Sequence, residues 1–73
     1  MKTSNNTLVL GLGASGEAAA RLLVHHGASV TVVDASETAA LDARGTSLRQ
    51  LGVRVLAGVD AIPAGAFDLC VLS

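Results

Sequence analysis

Apolar residues gather into four short runs, and the segments between them change period in a regular way. "TLVLG", Thr7 to Gly11, is rich in β-formers, lacks clean polar alternation and stops at a glycine, as suits a strand covered on both faces. "ASGEAAARLLVHHG" follows, with Ala19, Leu22 and Leu23 at helical spacing. Ser15 is placed to cap its start, Glu17 suits the positive end of the helix dipole, and Gly27 suits the stop. "SVTVVD" predicts a second strand closed by Asp34. Thr38 to Leu51 is helical in period, though "ARGTS" weakens it around Gly45 and leaves two short helices as an alternative. "GVRVLAG" predicts a third strand, "VDAIPAGAF" a loop around Pro63, and "DLCVLS" a fourth strand.

The order β-α-β-α-β-β implies an α/β fold with parallel pairing and right-handed crossovers, one half of a doubly wound, Rossmann-like sheet. Numbered in chain order, the strands are expected to lie 3-2-1-4, because the return to the free edge of the first strand creates a switch point where ligands bind. Helices are expected on the faces of the sheet. No repeat, low-complexity segment or internal linker interrupts the 73 residues.

Composition narrows the picture. Half of the residues are hydrophobic but one is aromatic, so the core is expected to consist of Ala, Val and Leu. A chain this short buries only about 60% of its unfolded surface, and the single Cys70 makes no internal disulfide; Cys70 itself is expected to pack as a small hydrophobe. These features suggest a truncated piece of a longer protein. A net charge of −1, without a basic block or an aromatic platform, argues against nucleic acid as a partner. The apolar runs are too short for a membrane span, and the polar leader "MKTSNN" lacks a signal-peptide pattern, which points to the cytoplasm.

Gly11, Gly13 and Gly16 form G-x-G-x-x-G directly after a strand and at the opening of a helix. Gly11 permits a tight turn, Gly13 clears space for a close ligand, and Gly16 lets helix and sheet approach. The amides near Ala14, Ser15 and Gly16 would then face an anion at the positive end of the dipole. The alternative is a compact strand-to-helix corner without a ligand. Asp34 stands 18 residues after Gly16, close to the spacing of about 20 expected for the acidic residue of a dinucleotide site; its alternative is a solvated residue that ends the strand or caps "SET". His25 and His26 read as helix-end residues, and adjacent helical positions point about 100° apart, a poor metal pair. Neither a metal site nor a catalytic residue is expected in this chain.

The run "VLGLGASGEAAARLLVHHGASVTVVD" resembles the N-terminal domain of the UDP-N-acetylmuramoyl-L-alanine:D-glutamate ligases, a branch of the Mur ligase family. The "GLGASG" turn, "AAARLL" helix, "VTVVD" strand and terminal "FDLCVLS" strand stand in that family's order, over essentially all of residues 1–73, and "SG" before an Ala-rich helix is the most telling piece. The resemblance implies a domain that holds the UDP of a nucleotide-linked muramyl substrate. Gly13, Ala14, Ser15 and Gly16 would face the diphosphate, Asp34 would accept a hydrogen bond from the uracil imide, and Ala35 and Ser36 would line the base pocket. Ser73 would begin a Ser-Pro-Gly loop covering the substrate. The family often carries a more strongly hydrogen-bonding or cationic residue where this chain has Ala35. It is also implied that ATP, magnesium and D-glutamate bind to central and C-terminal domains absent from this chain, whose sequence has no G-x-x-x-x-G-K-[ST]. The isolated chain would therefore be inactive as a ligase. The implied process is peptidoglycan synthesis, hence cell-wall biogenesis, cell shape and cell division. Two other readings share the same residues: an NAD-binding piece of an oxidoreductase, with Asp34 on a ribose, and a non-catalytic nucleotide-sensing module.

Overall fold

The computed structural model describes residues 6–59 and 67–72. Strands β1 (Asn6–Leu10), β2 (Ser29–Asp34), β3 (Arg54–Ala57) and β4 (Leu69–Leu72) alternate with helices α1 (Ala14–His25) and α2 (Ala39–Arg49) until the last two strands. All three strand pairings are parallel. The order is β3-β2-β1-β4, as the crossover rule predicts.

The register lines up one residue from each strand in a row across the sheet. Val55 pairs with Val32, Val32 with Val9, and Val9 with Val71. Both helices pack over this row: Ala20 of α1 and Leu41 and Leu48 of α2 join Val9, Val32 and Val55 in one buried cluster, with Leu23, Val24 and Val71 packed against it. Valine suits such a row because its branched, stiff side chain fills a pleated surface with little entropy to lose. Small residues bring the helices close. A Cβ built on Gly45 would stand 3.2 Å from Val55 Cγ1, so Gly45 is where α2 descends onto β3. The sequence reads Gly45 as a weak point that could split the helix; in the fold it is a buried contact inside one continuous helix. On the opposite face, Leu8, Thr31 and Val33 are also buried, which accounts for the absence of polar alternation in the two central strands.

The phase of α1 differs from the one its leucines suggest. Gly16 and Ala20 are its buried residues, whereas Leu22 is 59% exposed. Adjacent helical side chains diverge by about 100°, so Leu22 and Leu23 cannot both face the sheet, and Leu23 takes the inner place. Cys70 is likewise exposed, not packed as a core hydrophobe, because β4 is an edge strand.

Local signals end the elements as their chemistry requires. The Thr38 hydroxyl oxygen accepts from the Leu41 N–H at 3.2 Å, capping α2. Both helices close with paired bonds back to the last turn: Gly27 N to Val24 O and Ala28 N to Leu23 O in α1, Gly52 N to Arg49 O and Val53 N to Leu48 O in α2. Asn6 and Asp68 clamp the start of β1 to β4, Asn6 donating to the Asp68 carboxylate at 3.0 Å and the Asp68 N–H to the Asn6 carbonyl at 2.7 Å.

One buried polar atom is left over. Thr7 is fully buried in β1, and its hydroxyl has no hydrogen-bond partner among the described residues. An unpaired buried hydroxyl costs about 1 to 3 kcal/mol, and an isosteric apolar replacement removes that cost. Thr7→Val is therefore expected to raise stability by about 1 kcal/mol, seen as a rise in Tm of about 4 to 8 °C. A lower Tm would show that the hydroxyl is satisfied in solution.

Candidate functional site

The C-terminal end of β1 is the point at which the sheet changes direction. β2 lies on one side of β1 and β4 on the other, and the chain leaves β1 through the glycine turn. In open α/β sheets this is the crevice that receives ligands.

The turn is built residue by residue. The Gly11 N–H continues the ladder one step past β1, donating to the Val33 carbonyl at 2.8 Å, and the backbone then breaks away with φ 105°. A side chain is strained at that angle, so the position calls for glycine. The Leu12 side chain drops into the core with no exposed surface. Gly13 caps α1 with φ −85° and ψ −171°, an extended conformation open to any residue, and a Cβ there would meet nothing within 4 Å. Neither backbone strain nor packing within the described residues requires glycine at position 13. Helix stability alone would favour Ser, Asp or Asn at an N-cap, yet α1 has no side-chain cap bond. Among the described residues nothing fills the space above Gly13.

Ser15, expected to cap the helix, is its second residue and lies on the exposed side together with Ala14; the capping position belongs to Gly13. Gly16 is buried. The N–H groups of Ala14, Ser15 and Gly16 belong to the first turn, which has no intrahelical acceptors to offer them. With the helix dipole they provide positive potential for an anion, an effect of about 0.3 to 1 kcal/mol per charge at an exposed site. Glu17, also in the first turn, has its charge met elsewhere. Its carboxylate pairs with Arg21 at 3.0 Å and with Arg44 of α2 at 3.5 Å, and Arg21 reaches on to the Ser47 hydroxyl at 2.6 Å.

Asp34 ends β2 beside this turn and is half-buried. Its carboxylate faces backbone on two sides: Oδ2 accepts from the Leu12 N–H at 2.7 Å and Oδ1 from the Ser36 N–H at 2.8 Å. These two bonds, Leu12 first, hold its pKa below the ordinary value of 3.8 against a smaller opposing effect of burial. Ala35 and Ser36 follow on the surface. The structure therefore brings Gly13, Ala14, Ser15 and Gly16 together with Asp34, Ala35 and Ser36 at one end of the sheet, while Ser73 lies outside the described residues. Leu12 is the residue that reading the glycine motif passes over. An apolar residue between two glycines was its only signal, and it joins core, turn and Asp34.

His25 and His26 are exposed, with ring centroids 5.6 Å apart in a T-shaped arrangement. No group of three or more His, Cys, Asp or Glu among the described residues could hold a metal ion. Among the same residues no helix is long and apolar enough to cross a membrane. The arrangement sets first-turn amides and the positive end of the α1 dipole beside Asp34 at the end of β2.

Sequence relatives give this site a context. The chain is 45% identical over 69 residues to the UDP-N-acetylmuramoylalanine–D-glutamate ligase of Lactobacillus delbrueckii subsp. bulgaricus, covering 90% of this chain and 15% of that protein. It is 46% identical over 61 residues to the enzyme of the same name from Frankia casuarinae, covering 84% of this chain and 12% of the relative. By sequence, the chain is similar to one segment of the UDP-N-acetylmuramoylalanine–D-glutamate ligases. A further relative of that name, from a Polaromonas species, is 68% identical over 34 residues, 47% of this chain and 6% of its own length. The chain thus spans about 15% of the length of the curated relatives it matches over most of its residues. No family model matches it. Among solved structures, the flavoprotein disulfide reductase RclA from Escherichia coli matches with a TM-score of 0.75 at 20% identity, over 99% of this chain and 22% of that one. Its copper(II) complex matches with a TM-score of 0.74 at the same 20% identity, over 94% of this chain and 21% of that one. Likeness at that identity describes the Rossmann-like fold and nothing further.

Proposed function

We propose that this chain is the UDP-binding domain of an ATP-dependent ligase that joins D-glutamate to UDP-N-acetylmuramoyl-L-alanine in peptidoglycan synthesis, working in the cytoplasm as one domain of a longer protein. The observation that carries the reading is the uncovered Gly13 at the N-terminus of α1, beside first-turn amides that have no intrahelical acceptor. It is supported by relatives whose shared name includes a UDP-linked muramyl compound. The diphosphate lies against Gly13, Ala14, Ser15 and Gly16, with the Ser15 hydroxyl as an added donor. The uracil lies toward Asp34, Ala35 and Ser36.

Amide formation by such a ligase runs through phosphorylation of the substrate's terminal carboxylate and attack of the D-glutamate amine on the acyl phosphate. ATP and magnesium supply the phosphoryl group and its charge neutralisation. In this reading both bind in the other domains. The residues here bind and orient the substrate's nucleotide end, anchoring the far carboxylate for those domains.

The contacts are few and open to solvent, which sets an expected Kd of about 1 mM, near −4 kcal/mol. Ligand-observed NMR on the chain with UDP and with NAD checks the reading, UDP being expected to give the stronger response. A clear preference for NAD would transfer the chain to the oxidoreductase alternative, and ATP hydrolysis by the chain alone would contradict the division of labour.

A further inference from the structure

We infer that Asp34 acts as a positioning residue for the phosphate turn, holding the glycine loop in place through backbone, in addition to any contact it makes with a base. The inference rests on the reading of α1's N-terminus as an anion site. Its observations are the two bonds of the carboxylate, Leu12 N–H to Oδ2 at 2.7 Å and Ser36 N–H to Oδ1 at 2.8 Å. One carboxylate thereby ties the β1–α1 loop to the β2–α2 loop. Leu12 immediately precedes the N-cap Gly13, so the anchored amide lies one residue from the start of the anion-binding turn.

The geometry answers an electrostatic difficulty. A carboxylate beside an anion site repels the ligand, and a residue there with no holding role would weaken binding by its charge alone. Directed at two backbone N–H groups, the charge is partly compensated, and the bonds are of the stronger, charge-assisted kind. The bond to Leu12 also claims the one amide of the turn that lies behind Gly13, so the ligand is left with the amides of the first helical turn.

The two roles predict opposite signs. Asp34→Asn removes the charge and keeps one acceptor oxygen, so only one of the two backbone bonds survives. If Asp34 holds the turn, inorganic pyrophosphate binds the variant about 10-fold more weakly, and UDP weakens by at least the same factor. If it were an idle charge, pyrophosphate would bind the variant more tightly; if it acted only by reading the base, UDP would weaken and pyrophosphate would not. Either of those outcomes overturns the proposal.

The experiment is an NMR titration of the 15N-labelled chain, wild type and Asp34→Asn, with each ligand, accompanied by hydrogen exchange at the Leu12 and Ser36 amides. Protection of both amides is expected in the wild type, with loss of one in the variant and little change at Val32 in the core. An unprotected Leu12 amide in the wild type overturns the proposal without reference to any variant. Binding of pyrophosphate without any response to UDP would defeat the nucleotide reading while leaving the positioning role in force. Silence toward both ligands would defeat the two together. Asp34→Ser, with a shorter acceptor, serves as the second variant should Asn prevent folding.

Discussion

Gly13→Asp is expected to abolish nucleotide binding while leaving the chain folded and slightly more stable. The backbone at Gly13 is extended, and an added Cβ meets nothing within 4 Å, so the substitution introduces neither strain nor a clash with the described residues. Asp is among the best N-caps, whereas α1 now lacks a side-chain cap; the gain over Gly is a few tenths of a kcal/mol, with up to about 1 kcal/mol from the helix dipole. The same carboxylate occupies the space proposed for the diphosphate and opposes its charge. Two unit charges about 4 Å apart at an effective dielectric constant of about 20 repel by about 4 kcal/mol. Even a discounted value of about 2.7 kcal/mol weakens binding about 100-fold, enough to silence a site of millimolar affinity. Thermal unfolding and a UDP titration on one sample check both halves. Retained binding would show that the ligand does not sit over Gly13, and a lower Tm would show that Gly13 serves the fold.

Leu12→Ala is expected to cost about 2 to 5 kcal/mol, the range for a buried leucine that leaves a cavity behind. Leu12 has no exposed surface, and its side chain lies in the same cluster as Val9, Val32, Leu48 and Val55. A Cβ on Gly45 would also come within 3.9 Å of Leu12 Cδ2, so the leucine fills the place where α2 descends onto the sheet. For a chain of 73 residues, a total stability of about 0.05 to 0.15 kcal/mol per residue makes this a large fraction of the whole. Chemical denaturation should show the midpoint falling steeply at an unchanged slope. Alanine keeps the backbone N–H that donates to Asp34, so whatever folded population remains should bind UDP with nearly unchanged affinity. A loss below about 1 kcal/mol would mean that the cluster repacks around the gap.

Much of this architecture was legible in the order of the runs. The strands, the helix starts near the glycine turn and Thr38, and the sheet order 3-2-1-4 follow from period and from the handedness of crossovers, which are properties of local sterics. The glycine turn and Asp34 were legible for the same reason: motif, strand end and spacing are all measured along the chain. Where reading along the chain failed, the deciding quantity was across it. Leu22 and Leu23 both satisfy helical spacing, and the packing of Gly16 and Ala20 against the sheet turns Leu22 outward. Cys70 has the neighbours of a core residue in sequence and the exposure of an edge strand in space.

The sequence by itself thus determined the element types, the parallel sheet and the location of the glycine turn, because each depends on backbone sterics and hydrophobic period within a few residues. Only the tertiary structure decided which residues meet at the end of the sheet and what each of them bonds to. It placed the N-cap at Gly13 instead of Ser15, made Gly45 a contact with Val55, and directed both oxygens of Asp34 to the amides of Leu12 and Ser36. The physical reason is separation: Leu12 and Asp34 are 22 residues apart, and a bond between them exists only once β1 and β2 lie in register and bring their C-terminal ends together.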